Sequence, residues 1–233
     1  MKKTIAVANW KATKTIKETV EWVKSALPDL EKVEHAEIIV CPPYNSLPLL
    51  ASLLQETPIG VGAQDVSRFK KGSYTGEVTV EMLDGLIDYC IVGHSERRKY
   101  FGETDVDVIE KVKNLLDYSI TPVLCVSNLK QLDSYLDRGK IIVDQVEKII
   151  FVYEPPGAIS RGGAYRPESP DDADFNSRKI GEKLGKEVTT LYGGSVNPEN
   201  AKSFFSKDNI SGGLIGQAST DPSIFVEIFK NIK

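Results

Sequence analysis

Short apolar runs alternate with amphipathic segments along the whole chain. The strand-like runs are Thr4–Asn9, Ala36–Cys41, Ile59–Ala63, Tyr89–Gly93, Thr121–Val126, Ile149–Glu154, Val188–Gly193 and Gly212–Gly216. Most are near-continuous rather than alternating, which is the pattern of parallel strands covered on both faces. Between them, Val108, Ile109, Val112, Leu115 and Leu116 recur at helical spacing behind Thr104, a side chain suited to cap that helix. Asn197-Pro198 and Asp221-Pro222 each read as a cap followed by proline at the first helical position. The helix behind Asp221 is expected to carry Ile224, Phe225, Ile228 and Phe229 on one face. Eight strands alternating with helices predict an α/β protein built as a closed parallel (β/α)8 barrel. The alternative is a doubly wound open sheet, against which no Gly-x-Gly-x-x-Gly follows the first strand.

The chain has 233 residues, ordinary for one such barrel, and no composition shift marks a linker, so a single domain over residues 1–233 is expected. The formal net charge is -4. It gives no electrostatic footprint for nucleic acid or membrane, and it requires local groups to hold any anionic substrate. Cys41, Cys90 and Cys125 fit no metal spacing, and they read as reduced, packed thiols of a cytoplasmic protein. After Met1-Lys2-Lys3 the apolar stretch runs only from Ile5 to Ala8, so no leader is expected there.

In such barrels chemistry sits at the C-terminal ends of strands. Strand one ends in Asn9-Trp10-Lys11, where a two-residue period turns Asn9 and Lys11 the same way. Alone, an Asn and a Lys after a strand are usually a turn. Strand four ends in His94-Ser95-Glu96-Arg97-Arg98. A lone His is more often structural, but one flanked by a Glu and two Arg at a barrel mouth is a costly constellation without a use. His35, the other histidine, lies in a charged stretch expected to be exposed. Strand six ends in Glu154, a carboxylate with dry surroundings behind it, which suits a general base, although a lone Glu there is more often an ion-paired loop start. Glu154 opens an irregular segment from Pro155 to Pro170 with Gly157, Gly162 and Gly163, readable as a water-excluding lid or as a variable surface loop. Strands seven and eight run into Gly193-Gly194-Ser195 and Gly216-Gln217, the usual phosphate cradle of these barrels.

Taken together these stretches resemble the triosephosphate isomerases over nearly the full length. Asn9-Trp10-Lys11, Gly62-Ala63-Gln64-Asp65, Tyr74-Thr75-Gly76-Glu77, the run Ile91 to Arg98, Phe101-Gly102-Glu103-Thr104, Pro122 to Val126, Tyr153-Glu154-Pro155 and Tyr192 to Val196 occur in the family's order. The resemblance implies interconversion of dihydroxyacetone phosphate and glyceraldehyde 3-phosphate, a step of glycolysis and gluconeogenesis, with no cofactor and no metal. It implies Glu154 as the base, His94 as the imidazole that polarises the carbonyl, Lys11 as the cation beside the enediolate and Asn9 as its hydrogen-bonding neighbour. Glu96 and Cys125 match supporting residues. Backbone N–H groups at Ser160, Ser195, Gly216 and Gln217 match the phosphate grip.

The sequence departs from the family pattern in places. Pro156-Gly157 stands where most members have an aliphatic residue and Trp, Ser160-Arg161-Gly162 replaces Gly-Thr-Gly, Ser127-Asn128 replaces Gly-Glu, and Gln217 replaces Gly. Gln64 to Thr79 is long for a βα loop and carries Phe69, Tyr74 and Thr75. In the family this loop enters a second subunit, so the resemblance implies a homodimer, with Thr75 near the partner's site and Glu77 a candidate to pair with Arg97 across the interface.

Overall fold

The computed structural model describes residues 3–158 and 167–232. Eight parallel strands close into one barrel in sequence order: β1 (Thr4–Asn9), β2 (Ala36–Cys41), β3 (Gly60–Ala63), β4 (Tyr89–Val92), β5 (Thr121–Val126), β6 (Ile150–Tyr153), β7 (Thr189–Tyr192) and β8 (Gly212–Ile215), with β8 pairing back onto β1. The helices are α1 (Ile16–Leu30), α2 (Leu47–Leu54), α3 (Val80–Leu83), α4 (Ser95–Phe101), α5 (Asp105–Asp117), α6 (Leu129–Arg138), α7 (Ile141–Asp144), α8 (Pro170–Leu184), α9 (Ala201–Phe205), α10 (Gln217–Thr220) and α11 (Pro222–Asn231).

Strand alternation divides the core in two. Ile5, Val7, Ile39, Cys41, Ile91, Val123, Cys125, Ile150, Val152, Leu191 and Leu214 form a cluster drawn from strands alone, which fills the barrel interior. The intervening residues, among them Ala6, Ala8, Ile38, Val40, Leu124 and Phe151, face outward and pack with the helices. This double cover is why the strands read as continuous apolar runs. All three cysteines are free and buried within these layers.

Local signals set the helix starts. Thr104 caps α5 by accepting from Asp107 N, and the Asp107 carboxylate accepts from Thr104 N at 2.8 Å, a reciprocal capping box. Asn128 caps α6 through Gln131 N at 3.0 Å. Asp221 accepts from the N–H groups of Ser223 and Ile224 at the start of α11.

Three expectations need correction. Asn197-Pro198 opens a turn rather than a helix: Asn197 and Asn200 each accept the other's backbone N–H, at 3.0 and 2.9 Å, and α9 starts only at Ala201. Closing that short ring competes with helical pairing. In α11 the buried face is Phe225, Val226, Ile228 and Phe229, while Ile224 is 39% exposed, because the helix is turned toward Trp22 of α1. His35 is half-buried, with Nε2 3.1 Å from the carbonyl of Phe229.

Candidate active site

The inward parity of β1, Ile5 then Val7, brings Asn9 to the barrel mouth, where it is buried. Two residues on, Lys11 has φ 51°, a left-handed backbone that a non-glycine residue adopts only under constraint. The constraint is visible. Lys11 N donates to Asn9 Oδ1 at 3.1 Å, its carbonyl accepts from Gln64 Nε2 at 2.9 Å, and Nζ pairs with Glu96 Oε1 at 2.6 Å. Gln64 also donates to the carbonyl of Cys41, tying the ends of β1 and β2 together.

At the end of β4, Gly93 has φ 73° and turns the chain so that His94 enters the mouth as the N-cap of α4. Nδ1 of His94 accepts from Glu96 N at 3.2 Å. An accepting Nδ1 places the ring proton on Nε2. That Nε2 stands 3.0 Å from Glu154 Oε1.

Glu154 continues the inward parity of Ile150 and Val152 and is fully buried. Ser95 holds it twice, by N–H to Oε2 and by hydroxyl to Oε1. Neighbouring Gly193 leaves room for it: a Cβ there would lie 2.6 Å from Val152 Cγ1 and 3.3 Å from Glu154 Cβ. Cys125, at the interior end of β5, is buried beside this carboxylate, and burial first, then the Glu154 charge, pushes its thiol pKa well up.

Asn9, Lys11, His94, Gly193, Gly194, Ser195, Val196, Leu214, Gly216 and Gln217 line one pocket at the mouth. The structure therefore gathers Asn9, Lys11, His94, Ser195, Gly216 and Gln217 around one space, with Glu96 and Glu154 bonded to its walls. Ser160 and Arg161 lie outside the described residues. Thr75 is exposed at the tip of the 64–79 loop, away from this lining. Sequence reasoning gave no role to Ser95 or Gln64, and it read Gly193 as part of the phosphate cradle rather than as the neighbour that makes room for Glu154. The signal for Ser95 was its place directly after His94 at a helix start. For Gly193 it was a glycine on the strand next to Glu154. The Ser195 hydroxyl donates to the carbonyl of Ala158 at 2.6 Å, joining the loop after β7 to the segment after Glu154.

The sequence model of triosephosphate isomerase matches residues 4–232. Proteins named triosephosphate isomerase from Solibacter usitatus and Aquifex aeolicus are each 38% identical to the chain, over 98% of it and 99% and 98% of their own lengths. One from Thermus thermophilus is 39% identical over 99% of both chains. The chain belongs to the triosephosphate isomerase family.

Its departures from the triosephosphate isomerase pattern have local consequences. Ser127 N donates to Gln131 Oε1 at 2.7 Å and Asn128 caps α6, so the Ser127-Asn128 pair fixes how that helix leaves β5. Gln217 is exposed at the start of α10 and lines the catalytic pocket. No described helix is long and apolar enough to cross a membrane.

Proposed function

We propose that the chain interconverts dihydroxyacetone phosphate and glyceraldehyde 3-phosphate, with Glu154 as base and His94 as the proton donor to oxygen. The observation that carries this reading is the 3.0 Å contact of His94 Nε2 with Glu154 Oε1 beside a pocket that also receives Lys11. The carboxylate takes a proton from the carbon next to the carbonyl, and the electron pair moves onto the carbonyl oxygen. Nε2–H of His94 gives its proton to that oxygen and takes one back from the hydroxyl of the neighbouring carbon, Lys11 Nζ balances the charge, and Glu154 returns its proton to the former carbonyl carbon as the neighbouring oxygen becomes the new carbonyl. Ser95 holds Glu154 away from the pocket, so the carboxylate exchanges those two bonds for the substrate when it acts. N–H groups at Ser195, Gly216 and Gln217 receive the phosphate, whose charge the chain's net -4 does not attract. Glu96 holds Lys11 in place, and Ser160 joins the phosphate grip by resemblance alone. A Schiff-base aldolase would place a lysine at the end of a middle strand, where this chain has Val126 and Glu154.

The same reading includes a homodimer. The tip of the 64–79 loop is exposed, with Phe69 and Tyr74 stacked at 4.1 Å and Tyr74 44% exposed. Beside the catalytic pocket a second cavity is lined by Asn9, Lys11, Tyr44, Gln64, His94 and Phe101, and Phe101 is 71% exposed. An apolar-walled socket and a protruding aromatic loop on one chain suit an isologous pairing, each copy's Thr75 tip filling the other's socket. Arg97 pairs within its own chain with Asp65 at 2.8 Å and Glu103 at 3.3 Å, which leaves its pairing with Glu77 of a second copy as an addition to that network. Turnover of glyceraldehyde 3-phosphate by purified protein, followed spectrophotometrically, tests the activity; absence of turnover overturns it.

A further inference from the structure

Outside the catalytic pocket, one fully buried hydroxyl sits where the ends of β4 and β5 part. Cys125 and Val126 carbonyls point to opposite neighbours, as alternate residues of a parallel strand do. Val126 O faces β6 and accepts from Glu154 N at 2.9 Å. Cys125 O faces β4, but β4 ends at Val92 and the chain turns away at Gly93, so the ladder offers no N–H there. Tyr135 of α6 fills the gap: it is fully buried and its hydroxyl donates to Cys125 O at 3.1 Å.

The same hydroxyl accepts from Arg98 Nη2, and Arg98 Nε donates to Gly93 O at 3.2 Å. Asp105 Oδ1 takes Arg98 Nη1 at 2.7 Å, and Asp105 is itself held by the Ser134 hydroxyl. The peptide that launches His94 is thus tied to the end of β5 through a guanidinium and one phenol. The fit is close: a Cβ on Gly93 would lie 2.9 Å from the Tyr135 hydroxyl. Burial raises the pKa of this phenol far above its ordinary value, with Arg98 working the other way, so it stays a donor to Cys125 O. The placement of Tyr135 follows from the cap: Asn128 starts α6, and Leu132 and Tyr135, three apart, share its buried face.

We propose that Tyr135 is a positioning residue for the isomerisation, acting through Arg98 on the Gly93–Ser95 turn that aims His94 Nε2 and holds Glu154. It touches neither substrate nor reacting atoms. The inference rests on the function proposed above.

Tyr135→Phe tests it. The change leaves the ring in place and removes the bridge between Arg98 Nη2 and Cys125 O. We expect kcat to fall about tenfold with KM within about twofold, since misaimed groups act on the transition state rather than on phosphate binding. A residue with a structural role alone would lower Tm and leave the kcat of the folded fraction unchanged, and that result overturns the proposal. Where Tyr135→Phe does not fold, Ser134→Ala decides instead. It loosens the same guanidinium through Asp105 at a half-buried position. A fall of about threefold in kcat at unchanged KM supports the role, and wild-type kcat overturns it. Wild-type protein without isomerase activity overturns the reading of the whole site, whereas an active wild type with an equally active variant overturns only the role of Tyr135.

Discussion

Ser95 holds Glu154 with two groups, its N–H at 2.9 Å from Oε2 and its hydroxyl at 3.0 Å from Oε1. The carboxylate that would move the proton is therefore stored against the first turn of α4, in contact with His94, and would reach the substrate by rotation of its side chain. Glu154→Asp shortens that arm by one methylene. About 1 Å of misplacement costs on the order of a hundredfold in rate, so kcat is expected to fall about that far while KM moves little. Steady-state kinetics in both directions measure it, and near wild-type turnover removes Glu154 from the role of base.

Lys11→Met removes the pocket's cation and leaves Glu96 without the partner it now has at 2.6 Å. Substrate phosphate and developing oxyanion lose the same charge, so KM is expected to rise and kcat to fall together. Calorimetric titration with a phosphorylated mimic of the enediolate checks the binding half. Equal affinity in variant and wild type rules out this role for Lys11.

Asp107 gives a pH dependence. Burial opposes its ionisation, but hydrogen bonds from Thr104 and the Arg68 guanidinium outweigh burial and hold its pKa below the ordinary 3.8. The folded chain thus favours the charged form. The stabilisation is present above the unfolded carboxylate's pKa and is lost as pH falls through the lower folded value. Asp107→Asn breaks the α5 capping box and is expected to cost about 1 kcal/mol at pH 7, or about 2–4 °C in Tm. The difference from wild type should shrink near pH 3. Thermal melts followed by circular dichroism at the two pH values decide it, and an equal difference at both assigns the effect to something other than the carboxylate charge.

Light scattering at micromolar concentration should give twice the 25.7 kDa chain mass. Thr75→Arg, a charge on the exposed loop tip, should shift the protein toward monomer and lower activity in step, while the monomer retains its barrel circular dichroism. A fully active monomer would sink the pairing argument.

The barrel was legible because its double cover writes itself into the sequence as uninterrupted apolar runs. Thr4–Asn9, Ala36–Cys41 and Thr121–Val126 have the expected bounds, and β4, β6, β7 and β8 stop one residue short of them. Those residues, Gly93, Glu154, Gly193 and Gly216, are where the chain turns out of the barrel. Apolar periodicity cannot resolve that point because the turning residue still has strand neighbours. Asn9, Lys11 and His94 could be placed together because strand parity and the family's motif order both point to the mouth. The roles of Ser95 and Tyr135 could not, since both depend on a contact between segments far apart in sequence, Ser95 with Glu154 and Tyr135 with Arg98. The Asn197–Asn200 ring was missed for another reason: capping signals at both residues compete, and only the closed geometry chooses between them.

Lys11 keeps its left-handed backbone at φ 51° although glycine would adopt it with less strain. Substituting glycine there removes a backbone penalty of order 1 kcal/mol and removes the ammonium group with it. Under the proposed function, fold and chemistry thus want different residues at this position. A chain selected for durability alone would drift to glycine and become a sturdier, idle barrel, so laboratory evolution for heat resistance without an activity screen should find position 11 among its early losses.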